Sequence, residues 1–205
     1  MSRFYSRVTA RRHRSAGFAV VIAASLLAAC GSSAKTPTSP AAHARVQTLL
    51  KAAEDAEQRR DYNVARELYL QAIAEASDSR SAAIANREMA SALLFWGEYE
   101  GAEARLRTSL KHDASQARVW HDLGLVQEHQ GNAGEALISL ERAVALAPNE
   151  PRARIAYAAL LVKQSQFSEA ILQYKALLKM PIPERIEVAI HKALRMLENE
   201  DTQAP

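Results

Sequence analysis

The chain has 205 residues, 48% of them hydrophobic, with seven glycines, seven prolines and a single cysteine. That composition suits one domain plus an extra segment, favours helix over sheet, and rules out a framework of internal disulfides. The net charge of +3 points to no polyanion: Arg3, Arg7, Arg11, Arg12 and Arg14 precede residue 30 with no acid among them, and the rest of the chain sets 21 basic residues against 23 acidic ones, a balance that does not favour nucleic acid.

In chain order, the basic start runs into the apolar stretch Ala16 to Ala29, "AGFAVVIAASLLAA". Fourteen residues are too few to span a bilayer, which takes about 20. A charged start, a short apolar run and small residues at its end describe an export signal over 1–29. The run closes on Leu27-Ala28-Ala29-Cys30, which resembles the lipobox of bacterial lipoproteins. The resemblance implies cleavage before Cys30, a diacylglycerol on its thiol and an acylated amine; several acyl chains anchor stably where one does not. Gly31, Ser32 and Ser33 follow the cysteine, with no aspartate to retain the protein at the inner membrane. By resemblance to enteric lipoproteins, the expected location is the periplasmic face of the outer membrane. Residues 30–42, rich in Ser, Thr and Pro, read as the lipidated cysteine and a flexible linker. At about 3.3 Å per residue it reaches roughly 40 Å.

Beyond the linker the sequence repeats itself. The clearest unit is Trp120 to Pro148, with Leu123, Gly124, Ala136, Leu140 and Ala143 between. Small residues at 124 and 136 suit two helices in close contact, with Trp120, Leu123, Leu140 and Ala143 filling the space around them, and Pro148 stops the second helix. The spacing matches the tetratricopeptide signature, except that Gln127 holds the tyrosine place. The same pattern recurs around Ala53, Ala65, Tyr69 and Ala72; around Ala90, Gly97, Tyr99, Ala102 and Leu106; and around Ala158, Phe167, Ala170, Tyr174 and Leu177. The alanines at 65, 102, 136 and 170 are offset by 37, 34 and 34 residues, which puts about three extra residues near 77–82. Four repeats over 43–182 are therefore expected. After Pro181 and Pro183, Ile186, Ile190, Ala193, Leu194 and Leu197 share one helical face, a capping helix over 183–199 before a disordered tail at 200–205. The fold class is all-α: a tetratricopeptide solenoid with a C-terminal cap.

No catalytic constellation stands out, and neither a metal nor a cofactor is expected. His121 and His129 are two turns apart, about 12 Å along the axis, too far for one metal ion. Leu125 stands where an inverted zinc-protease motif needs a histidine. Function is expected in a groove. By resemblance to the family, the first helix of each repeat lines a concave face that binds peptides or partner helices. The family's groove positions fall on Leu50, Glu54 and Gln58; on Arg87, Ser91, Leu94 and Phe95; on Arg118, His121, Leu125, Glu128 and His129; and on Arg152, Ile155, Val162 and Lys163. Position assignment can slip, which would make Leu94, Phe95 and Leu125 core residues instead. The chaperone-tail subgroup of the family holds a carboxylate with lysine and asparagine, and that set is absent. Arginines beside apolar patches suit an amphipathic protein segment rather than a small molecule.

Signal, lipobox and a short repeat array together resemble the pilotin lipoproteins of type IV and tight-adherence pilus systems. That resemblance implies an envelope partner such as a secretin, with the membrane engaged through the lipid. An adaptor that recruits peptidoglycan hydrolases and a structural homo-oligomer of the envelope are the alternative roles. Cys30→Ser is expected to leave the protein unlipidated and to move it out of the membrane fraction. Retention of that variant in the membrane, with no lipid on the wild type by mass spectrometry, would overturn the anchor.

Overall fold

The computed structural model describes residues 40–201. The expected signal segment, Cys30, the linker as far as residue 39 and the tail past residue 201 lie outside the described residues. Helix α1 spans Pro40–Gln58, α2 Tyr62–Glu75, α3 Ser79–Phe95, α4 Tyr99–His112, α5 Ala117–His129, α6 Ala133–Leu146, α7 Pro151–Lys163, α8 Phe167–Leu177 and α9 Glu184–Asp201. The described residues form helices and no strands. The first helix starts at Pro40, so the last three residues read as linker are helical.

The helices pair as the repeats require: α1 with α2, α3 with α4, α5 with α6 and α7 with α8, each pair then packing on the next. The pairs touch through small residues. Ala53 and Ala65, Ala90 and Ala102, Gly124 and Ala136, and Ala158 and Ala170 are all buried. At Gly124 the approach leaves no room for a side chain: an added Cβ would lie 2.6 Å from Leu140 Cγ and 3.3 Å from the Ala136 carbonyl oxygen. The first helices α1 and α3 also touch directly, as do α5 and α7, and no pair of second helices comes as close among the described residues. The array therefore curves toward its first helices, and these line its concave face.

Every turn inside a repeat has the same construction. Arg60, Gly97, Gly131 and Ser165 have φ of 64°, 79°, 84° and 58°. They fall at one place in the repeat, seven residues after Ala53, Ala90, Gly124 and Ala158 respectively. The N–H after each of them reaches back to a carbonyl near the helix end: Asp61 to Ala56 (2.9 Å), Glu98 to Leu93 (2.8 Å), Asn132 to Gln127 (2.8 Å) and Gln166 to Leu161 (2.9 Å). These are Schellman closures, which need one left-handed residue.

The extra residues between the first two repeats do not make a longer loop. They lengthen α3 at its start, to 17 residues against 13 in α5 and α7. Asp78 fixes that start. Its carboxylate accepts from Ser81 N (2.9 Å) and Ser81 Oγ (2.7 Å), and these bonds hold its pKa below the usual carboxylate value.

Three apolar clusters run along the array, centred on Val46, Tyr69 and Leu93; on Leu106, Val119 and Leu123; and on Leu140, Leu161 and Leu177. Helix α9 completes the last. Ile190, Leu194 and Leu197 are buried against it, while Glu187, Lys192, Arg195 and Glu198 face water. At the other end no further helix among the described residues covers α1 and α2, and an ion pair joins Arg45 to Glu75 across them (3.3 Å).

Trp120 differs from expectation. It is half-buried at the rim of the middle cluster, and Val119 beside it is the fully buried residue. Its ring borders a shallow outer groove with Ile138, Glu141 and Arg142, and its Nε1 donates to the Ala114 carbonyl (2.9 Å). It sits in the first turn of α5, where only one side of the ring is covered.

A left-handed conformation costs an L-residue about 1–2 kcal/mol, and glycine little. Gly131→Ala is therefore expected to lower stability by about 1 kcal/mol. Arg60→Gly and Ser165→Gly are expected to raise it by about 0.5–1 kcal/mol. Urea midpoints of the three variants check the shared turn: equal midpoints would show that these four positions are not equivalent.

Candidate functional site

Two pockets open on the concave face. One, of about 320 Å³, lies between the starts of α5 and α7 and brings together Arg118, His121, Asp122, Glu150 and Arg152. His121 Nδ1 lies 2.9 Å from Asp122 Oδ1, and Arg118 approaches the same carboxylate at 3.8 Å. Asp122 is sunk beneath its neighbours, its side chain 17% exposed. The guanidinium ends stand outward: the Arg118 side chain is 76% exposed and the Arg152 side chain 83%, with the Glu150 carboxylate 4.0 Å from Arg152 Nε. Such exposed pairs contribute little to stability. Both arginines are free to turn toward a ligand.

The other pocket, of about 390 Å³, lies between α1 and α3 and is lined by Glu54, Glu57, Gln58, Tyr69, Glu88, Ser91 and Phe95. Phe95 is 75% exposed, the most exposed large apolar side chain among the described residues. Tyr69, on α2, closes the floor and donates its hydroxyl to Glu57 Oε2 (2.8 Å). Burial, with the Glu57 hydrogen bond and the charges of Glu57, Glu54 and Glu88, pushes the Tyr69 phenol far above its usual pKa. Glu88 pairs with Arg87 (2.6 Å), and Arg87 also reaches Gln116 Oε1 (3.3 Å).

Between the pockets the surface is neutral or apolar. Leu125 is 40% exposed on α5. Glu128 on α5 pairs with Lys163 on α7. Ile155 is half-buried, with one side against the C-terminal core.

The structure thus joins Arg118, His121 and Arg152 in one pocket and Glu54, Gln58, Ser91 and Phe95 in another. Phe95 and Leu125 are surface residues, so the reading that places them in the core does not hold. Four expected groove residues lie elsewhere. Leu50 is buried in the N-terminal core. Leu94 packs between the first and middle clusters, and Val162 packs against the last. His129 stacks on the Tyr99 ring, centroids 3.8 Å apart, and so is held by α4. Glu57, Glu88, Asp122 and Tyr69 are functional candidates that sequence spacing did not single out. A signal existed for one of them: Glu57 occupies the place in its repeat that Glu128 holds in the third.

Among the described residues no group of three or more His, Cys, Asp or Glu side chains is placed to hold a metal ion, and no helix is long and apolar enough to cross a membrane.

Residues 87–151 match the tetratricopeptide repeat family. The fold extends that assignment to the flanking helices as a tetratricopeptide-like solenoid. No curated protein matches the sequence. Among solved structures, PilF of Pseudomonas aeruginosa is similar with a TM-score of 0.64 at 21% identity, over 77% of this chain and 71% of its own. YrrB, a tetratricopeptide protein with an unusual peptide-binding site, gives 0.63 at 19% identity, over 75% and 76%. The Yersinia enterocolitica type III secretion chaperone SycD, in complex with a peptide of the translocator YopD, gives 0.52 at 17% identity, over 57% and 92%. The recognisable class is a protein-interaction scaffold. Repeat proteins of this kind are typically non-catalytic scaffolds or adaptors.

The raised Tyr69 phenol has a consequence above pH 10. There an unfolded tyrosine loses a proton that the folded one keeps, so stability falls as pH rises, by up to about 1.4 kcal/mol per pH unit for each such group. Tyr157, its phenol pushed up to about 12 by burial and the Glu169 charge, adds to the trend. Tyr69→Phe is expected to flatten the decline between pH 10 and 11.5. Urea titrations of wild type and variant across that range check it, and parallel slopes would refute it.

Proposed function

We propose that this protein is a lipid-anchored scaffold on the periplasmic face of the outer membrane, which docks an envelope protein in its concave groove and assists assembly of a pilus or secretion complex in the manner of a pilotin. The observation that carries the docking role is the groove itself. Exposed Phe95 and Leu125 and the outward arginines 118 and 152 occupy one face of one array, and none of them is needed by the core. An exposed phenylalanine on the same face as weakly paired, outward charge is what a protein ligand covers. The cellular setting rests on the sequence: a basic and apolar export signal ending in Leu27-Ala28-Ala29-Cys30, then a polar spacer. The role as adaptor for a cell-wall hydrolase uses the same groove and the same anchor. The identity of the captured partner separates the two.

The test is co-purification of the full-length protein from detergent-solubilised envelope. Arg118→Glu with Arg152→Glu is expected to reduce capture of the principal partner by at least fivefold, with helicity by circular dichroism unchanged. Loss of a secretin supports the pilus role, and loss of a peptidoglycan hydrolase supports the adaptor. An unaltered set of partners at unaltered yield would place docking on another face.

A further inference from the structure

Phe95, Leu125 and Ile155 are each thirty residues apart, four fewer than the repeat. Four residues are one helical turn. The three side chains therefore step one turn toward the helix start on passing from α3 to α5 to α7, and form an oblique apolar strip rather than a row across the groove. Neighbouring helices stand about 10 Å apart, and four residues rise about 6 Å. Successive members of the strip are thus about 12 Å apart, close to two turns of an α-helix, about 11 Å. On an extended strand the same distance is about three and a half residues. That does not return side chains to one face, because strand side chains alternate.

The two ends of the strip differ in charge. At Phe95 it meets the pocket of Glu54, Glu57 and Glu88. Arg87 answers Glu88, and Glu54 and Glu57 have no cationic partner among the described residues. One turn beyond Ile155 stands Arg152, with Arg118 across the same pocket. Of their acidic neighbours Asp122 is sunken, and the half-exposed Glu150 meets the Arg152 guanidinium only at 4.0 Å, so two outward guanidiniums stand against one outward carboxylate and the balance at this end is positive. The centre is already neutralised by the Glu128–Lys163 pair.

We infer that the groove binds one amphipathic α-helical segment lying obliquely, with apolar residues at i, i+7 and i+14 on Ile155, Leu125 and Phe95 in that order, acidic residues in its first turn over Arg118 and Arg152, and basic residues in its last turn over Glu54 and Glu57. The direction follows from the charges. Acids at the start and bases at the end also stabilise the bound helix itself through its macrodipole, so recognition and helix formation favour the same ligand. This inference rests on the docking role proposed above and specifies its ligand.

Two synthetic 17-residue peptides test it, stapled to equal helicity, each with leucines at residues 2, 9 and 16. One carries three glutamates first and three lysines last; the other exchanges them. Against the full-length protein in detergent, fluorescence anisotropy is expected to show about tenfold tighter binding of the first peptide. Phe95→Ala weakens both peptides alike. The fourfold variant Arg118→Glu, Arg152→Glu, Glu54→Lys, Glu57→Lys reverses the preference. As a readout on the unaltered protein, a benzophenone in the last turn of the first peptide is expected to label α1 or α3. Equal affinities, an unreversed preference in a folded fourfold variant, or labelling of α7 would overturn the oblique helix. If neither peptide binds while the arginine pair still governs capture from envelope, the oblique helix fails and the docking role stands. If the arginine pair does not govern capture, the docking role itself fails.

Discussion

The close approach of two helices at a pair of small side chains sets everything else in this molecule. Where Gly124 meets Ala136, the Leu140 side chain already occupies the space a methyl group would need. The equivalent alanine pairs impose the same contact in the other three repeats. Once that distance is fixed, each helix pair has one way to stack on the next. The residues left over on the first helices then have no core to enter and become the concave face. Polar groups inside the contact are paired: Gln127, at a place where the repeat pattern has tyrosine, donates to Glu135 (2.9 Å) and accepts from Ser139 (2.7 Å). A buried amide without those partners would cost about 1–3 kcal/mol.

The groove's charge is managed by geometry more than by composition. Acids and bases both line it, yet part of its charge is cancelled locally, at the centre by Lys163 on Glu128 and near Phe95 by Arg87 on Glu88. What remains outward is confined to the ends. Net charge could not reveal this, since neighbouring side chains on different repeats decide which charges survive.

Periodicity made the repeats, the small contact residues and the capping face of α9 legible in the sequence, because each depends on spacing along one helix. What depended on neighbours across helices was not legible. Leu50, Leu94 and Val162 occupy groove places by count, and the structure turns them into core because an adjacent repeat covers them. Trp120 carries the strongest match to the repeat pattern, yet its place in the first turn of α5 leaves one side of its ring open. The offset of 37 residues located the three extra residues before the second repeat and left their conformation open; Asp78, placed to cap, makes them helix. Glu57 and Tyr69 are twelve residues apart on different helices, and only the Schellman turn at Arg60 brings the phenol to the carboxylate.

That turn also grades the array from end to end. The two inner repeats close on glycine, at 97 and 131, while the outer two close on arginine and serine in the same left-handed geometry. Backbone strain is therefore stored at the two extremities and absent from the middle. Each of the two charged pockets borders one of the strained repeats, one pocket between the first pair and the second, the other between the third and the fourth. The conformational cost of closing the outer turns therefore falls on parts of the array that also carry the groove's charge, while the glycine-closed middle is spared that cost.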